Sequence, residues 1–148
     1  MNFVPVILVL AALTNQSEPT DYKTAFKRSM EGEKPLLVLV TAEWCPPCQR
    51  MKKSTIPALI DNDKFRNYNF ATVDFDRDRN NARKLIGNGS IPQLLVYEKR
   101  GGEWKMRVLR GYKSPESVEA FLRGSGQIRT AEATRLAVDQ YRPRQRND

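Results

Sequence analysis

Cys45 and Cys48 are the only thiols in this 148-residue chain, and two prolines separate them. They follow an apolar run, Leu36-Leu37-Val38-Leu39-Val40, and precede a segment expected to be helical from Gln49 onward. The free amides at a helix start favour negative charge, so a cysteine just ahead of one is favoured as thiolate. Thiolate is the form that attacks a disulfide. The chemistry offered by this spacing is reversible dithiol–disulfide exchange within a single turn of chain. Other uses of the pair fit less well. Zinc needs about four ligands, and the chain has two cysteines and no histidine. A purely structural cross-link gains little from so short a loop, both of whose residues are already stiff prolines. Inert buried thiols are the third alternative. The missing histidine also excludes His-based acid–base or triad catalysis and Cys-x-x-Cys-His haem attachment.

The elements that must hold the pair can be read from periodicity. Residues 21–31 place Tyr22, Ala25, Phe26 and Met30 on one helical face, with Asp21 to begin the helix and Gly32 and Pro35 to stop it. Leu36–Thr41 is a continuous apolar strand of the kind buried on both faces of a sheet. The helix after the cysteines is expected to break or kink near Pro57 and to resume over 57–65. Residues 68–75 form a second strand, and 79–86 a short helix ended by Gly87. Strands over 93–98 and 104–110 are joined through Lys99-Arg100-Gly101-Gly102, a hairpin signal. Ser114, Pro115 and Glu116 then supply a cap, a first-position proline and an acid for a helix running to Leu122. A crossover part followed by a hairpin gives an α/β layer architecture with helices covering a central sheet.

The length suits one domain with a real core. A net charge of +8 comes from scattered residues without a run of five like charges, which reads as solvated basic faces and not as a nucleic-acid surface. Residues 3–13 are apolar, too few to span a bilayer comfortably but suited to the centre of a secretory signal or an anchor. The alternative is a first strand, which Pro5 and Ala11-Ala12 fit badly. The chain thus divides into an export or anchoring segment at 1–17, a core domain at 18–126 and a basic extension at 127–148. Within that extension, 130–141 reads as a short helix.

Trp44-Cys45-Pro46-Pro47-Cys48, Ile91-Pro92 ahead of a strand, and Gly111 ahead of the last helix stand in the order of the three signature sites of the thioredoxin superfamily. The chain resembles that superfamily over residues 21–124. The run from Cys48 to Thr55 is most similar to thioredoxin-like domains of the DsbD C-terminal type. The resemblance implies an α/β thioredoxin fold, a central mixed β-sheet flanked by helices. It makes Cys45 the exposed nucleophile and Cys48 the buried resolving thiol of a redox-active disulfide, and it makes Ile91-Pro92 cis. The backbone of Ile91 would pair with an extended substrate. Trp44 and Pro46 would form an apolar rim beside Cys45, with Gly111 facing substrate and Tyr112 a further rim residue. No metal or organic cofactor is implied. The implied partners are disulfide-containing proteins and an electron-donating thiol–disulfide protein outside the cytoplasm, with the chain itself a monomer and any membrane contact made through residues 3–13. The alternatives are a cytoplasmic general thioredoxin, or a binding module that uses the Trp44/Ile91 groove without turnover.

Two departures from the thioredoxin pattern stand out. Leu39 occupies the position, six before the first cysteine, of the family's buried aspartate, and Thr72 replaces the lysine near it. Losing both members strands no charge, and leaves water or Glu43 to handle the Cys48 proton, Glu43 being expected to face solvent. The other departure is Pro46 in place of glycine. With two prolines between the cysteines, the Cys45 sulfur can be met by the Cys48 amide but by neither residue between them. A less stabilised thiolate makes a less oxidising couple.

Overall fold

The strand β1 (Leu36–Thr41) is buried along its whole length. Its side chains divide by parity between two cores, Leu36, Val38 and Val40 on one face and Leu37 and Leu39 on the other. A strand buried on both faces belongs inside a sheet, and β1 pairs parallel with β2 (Asn69–Asp74) and antiparallel with β3 (Gln93–Arg100). The sheet continues through β4 (Glu103–Arg110) to β5 (Gln127–Arg129), giving the order β2-β1-β3-β4-β5. The computed structural model describes residues 19–32, 34–124 and 127–129, the last three by backbone alone. Residues 1–17 and 130–141, read above as a targeting segment and a helix, lie outside the described residues.

Helices cover both faces of the sheet. α1 (Tyr22–Glu31) and α4 (Arg79–Ile86) bury Ala25, Phe26, Ala82, Leu85 and Ile86 against the Leu36 face. The other face receives Met51, Ile56 and Leu59 from the helical segment after the cysteines, and Val118 and Phe121 from α5 (Pro115–Leu122). This is the α/β thioredoxin fold. The side chains of Asp21, Asp78 and Ser114 accept from backbone amides three residues on and so cap α1, α4 and α5.

The helix expected to resume over 57–65 ends at Asp61, and three other differences from the sequence reading have a local reason. The helix expected at Gln49 starts at Pro46, so α2 is Pro46–Arg50, because a proline is tolerated in the first turn where its missing N–H is not needed. Near Pro57, where a break or a kink is expected, the helical path does not break. Instead a π-helical turn, Met51–Thr55, leads into α3 (Ile56–Asp61), and the Ile56 N–H reaches back to the Met51 carbonyl. A lengthened turn just ahead of Pro57 shifts the hydrogen-bond ladder where proline lacks a donor, so the helical path continues. The β3–β4 loop shrinks to Gly101-Gly102, both with positive φ (61° and 81°), as a two-residue hairpin turn requires.

One buried charge ties β4 to α5. Arg107 is 1% exposed. Its Nε donates to Glu98 Oε1 at 2.8 Å, one terminal nitrogen donates to the Phe121 carbonyl, and its guanidinium lies 4.8 Å from the Phe121 ring centroid. Arg107 therefore adds a charged donor to a carbonyl in the last turn of α5 that also accepts from the Gly124 amide at 3.1 Å. Arg107→Ala is expected to lower stability by about 3–5 kcal/mol, the range for breaking a buried pair. Urea unfolding checks this, and a loss under about 1 kcal/mol would show the contact to be dispensable.

Tyr97, 3% exposed, has its phenol pushed far above the usual 10.0 by burial. The neutral form is the one the core accepts. This contribution is therefore intact below pH 10 and is lost as pH climbs from the unfolded toward the folded value. Between those two values one proton adds up to about 1.4 kcal/mol per pH unit to the alkaline loss of stability. Tyr97→Phe should remove that increment in urea unfolding at a series of alkaline pH values, and an unchanged slope would contradict the assignment.

Candidate active site

The cysteines sit where β1 hands over to α2. Cys45 is the extended N-cap of α2 (φ −99°, ψ 106°), and Cys48 lies in the first turn. They are joined in a disulfide with their Cα atoms 5.2 Å apart. The Cys48 N–H points at Cys45 Sγ from 3.3 Å, the one contact that two intervening prolines leave open. Cys48 is fully buried, as expected. Cys45, expected to be exposed, is only 4% exposed, because Ala42, Phe75 and Ile91 pack around the disulfide. The order of access survives but its scale is small.

The second signature site faces the first. The Ile91-Pro92 peptide is cis, and the Ile91 carbonyl oxygen lies 3.9 Å from Cys45 Sγ. Gly111 closes the arrangement. Its N–H donates to the Pro92 carbonyl at 2.8 Å, and its φ of 73° is a backbone state that side chains with a Cβ rarely adopt. Trp44, Cys45, Pro46, Ile91, Pro92 and Gly111 are thus brought together around one disulfide. Trp44 is 65% exposed and is a rim residue, not a core aromatic. Tyr112, at 37%, is the other exposed large aromatic among the described residues.

Between Trp44 and α4 lies an apolar groove of about 390 Å³, lined by Trp44, Pro46, Phe75, Ile86 and Ile91 among others. Leu39 and Thr72, the two departures from the thioredoxin pattern, are direct partners in the β1–β2 register. The pair is non-ionising. Glu43 faces solvent and binds Lys52 Nζ at 2.6 Å, which holds its carboxyl below the usual range, first through that hydrogen bond and then through the lysine charge. A carboxylate kept ionised in this way is a weak base.

Four further residues shape the site without having been anticipated. Asp76 Oδ2 accepts from the Trp44 indole at 2.7 Å. Asp74 sets up that contact, since its Oδ1 accepts from the amides of Asp76 and Arg77 and turns the chain after β2. The acidic alternation Asp74-Phe75-Asp76-Arg77-Asp78 was the available signal. Phe75 forms a wall of the groove. Gln49 donates to the carbonyls of Ala42 and Glu43 (both 3.1 Å), which pins α2 to the loop ahead of the cysteines.

A disulfide at a strand-to-helix junction, facing a cis-proline turn on this sheet, defines the class of thioredoxin-fold dithiol–disulfide proteins. The thioredoxin-like family model matches residues 14–99, and the chain belongs to that family. It is 31% identical over 98 residues to a thioredoxin of Alicyclobacillus acidocaldarius subsp. acidocaldarius, covering 66% of this chain and 87% of that one. Among solved structures it is similar to Trichomonas vaginalis thioredoxin (28% identity, TM-score 0.54, 72% of this chain and 92% of that one). It is likewise similar to Trxlp from Edwardsiella tarda (27% identity, TM-score 0.54, 70% and 95%).

The Trp44–Asp76 contact gives a check on this geometry. In a Trp104→Phe background, Asp76→Ala should make Trp44 fluorescence more accessible to acrylamide, while stability changes by no more than about 1 kcal/mol. Unchanged quenching would mean that the indole is held by something else.

Proposed function

We infer that the protein reduces or isomerises disulfides in other proteins, cycling between the Cys45/Cys48 dithiol and disulfide. One observation supports this above the rest: Cys45 Sγ meets the Cys48 amide at 3.3 Å and the carbonyl of Ile91, in a cis peptide, at 3.9 Å. In the reduced protein, Cys45 thiolate attacks one sulfur of a substrate disulfide and expels the other as thiolate. Cys48, deprotonated, then attacks Cys45 Sγ, releases the second substrate thiolate and closes the Cys45–Cys48 bond. Two electrons pass to the substrate. A dithiol partner must return them. Extended substrate would lie along the Ile91 backbone, with an apolar side chain in the groove beside Trp44 and Pro46 and the chain passing Gly111. Leu39 and Thr72 supply no base, so water takes the Cys48 proton.

The direction is toward reduction, because the Cys48 amide is the single backbone donor that α2 directs at the Cys45 sulfur. One pKa unit is worth about 1.4 kcal/mol, comparable to one hydrogen bond to a charged group, so missing donors are enough to shift the couple. The compartment proposed is outside the cytoplasm, with residues 1–17 as targeting or anchoring segment, and the proposed relationship is to the DsbD C-terminal type. Insulin reduction by the thiol-regenerated protein is expected to proceed, and Cys45→Ser to abolish it. Activity that survives Cys45→Ser would overturn the role given to Cys45, and absence of activity from both forms would favour a binding module. Equilibration with glutathione should place the midpoint below the ~−180 mV typical of protein disulfide isomerase; a value at or above it would reverse the direction.

A further inference from the structure

The two flanks of the disulfide differ in charge. On the Trp44 side Arg79 lies 3.9 Å from Asp76, and Lys52, although it belongs to the π-helical turn, is held by Glu43. The opposite side is built from the exposed face of α2 and the π-helical turn, where Pro46, Arg50 and Lys53 follow one another at near-helical spacing. No acidic residue occurs from Pro46 to Ile60. Arg50 lies with its guanidinium 4.6 Å from the Tyr112 ring centroid, and Tyr112 directly follows Gly111, whose amide holds the cis-proline carbonyl. Lys113 continues that loop against the same helical segment, its carbonyl accepting from Thr55 Oγ1 at 2.8 Å. Among the described residues Arg50, Lys53 and Lys113 make no ion pair. Glu116 is the nearest acid in sequence after this loop, and its carboxyl is engaged by Ser114.

Stacking on Tyr112 fixes the guanidinium plane and leaves its edge free to donate to a carboxylate. We propose that this Arg50–Tyr112 step, with Lys53 and Lys113 behind it, is a second recognition element that selects disulfide substrates with acidic residues beside the reacting cysteine. This rests on the oxidoreductase reading above and adds a preference to it: an apolar side chain on the Trp44 side and a carboxylate on the Tyr112 side. An exposed ion pair contributes at most about 1 kcal/mol, so the step adjusts a preference among substrates, and it also attracts acidic segments before contact.

The test uses the reduced full-length protein and disulfide-bonded peptides of one sequence in which the residues on either side of one cysteine are Glu, Gln or Lys. At low ionic strength the Glu peptide should be reduced about two- to five-fold faster than the Gln peptide, in keeping with an exposed pair. High salt should erase that ratio. Arg50→Gln should bring the ratio to one, and Arg50→Glu should invert it in favour of the Lys peptide. Because the readout is a ratio between peptides, a variant that is merely less active still reports. Equal rates with the unaltered protein at low salt, or a preference that persists in Arg50→Gln, would overturn this proposal and leave the oxidoreductase reading intact. No reduction of any peptide would remove that reading and this one with it.

Discussion

Burial of β1 on both faces constrains the whole architecture. Six consecutive buried residues can be satisfied only by a strand on each side and a layer of helices above and below. The pairings with β2 and β3 provide the first, and α1, α4, α5 and the helical segment from Pro46 provide the second. Thr41, at the end of β1, is then only four residues from Cys45. Core packing thus delivers the disulfide to the C-terminal end of β1, and β3, which begins directly after Pro92, brings the cis-proline turn to the same end of the sheet. The site is a by-product of how β1 is flanked.

The site's own order comes from short polar ties laid over this apolar frame. Gln49 binds the loop ahead of the cysteines, Gly111 binds the proline turn, and Asp76 binds the indole. Each tie fixes the position of a backbone or side-chain group that borders the site. At the opposite end of the sheet Arg107 does the same for α5. The rigid parts of the protein are therefore apolar in bulk and polar at their joints.

What the sequence makes legible is local. The cysteine pair, the caps at Asp21 and Ser114 and the hydrophobic run of β1 are patterns within a few neighbouring residues, and the structure has each where expected. Resemblance extended this to Ile91-Pro92 and Gly111. The contacts that escaped are between residues distant in the chain: Trp44 with Asp76 is a separation of 32, and Arg107 with the Phe121 carbonyl one of 14. Nothing in the residue types alone selects those partners from the many acids and basic residues available. The π-turn before Pro57 escaped for another reason. A proline reports that the ladder must change, but not whether the chain breaks or absorbs one extra residue. The slight exposure of Cys45 likewise depends on Phe75, which reaches it only through the β1–β2 pairing.

The Leu39–Thr72 pairing has a consequence of its own. In a protein with a carboxylic acid beneath its disulfide, electron transfer and the ionisation of that acid are coupled equilibria, so acidity of the surroundings alters the couple through a third group. Here the facing positions on β1 and β2 hold a hydrocarbon and a hydroxyl. Neither side chain of this pair can take up or release a proton, so at these two positions the sheet adds no titration to that of the thiols.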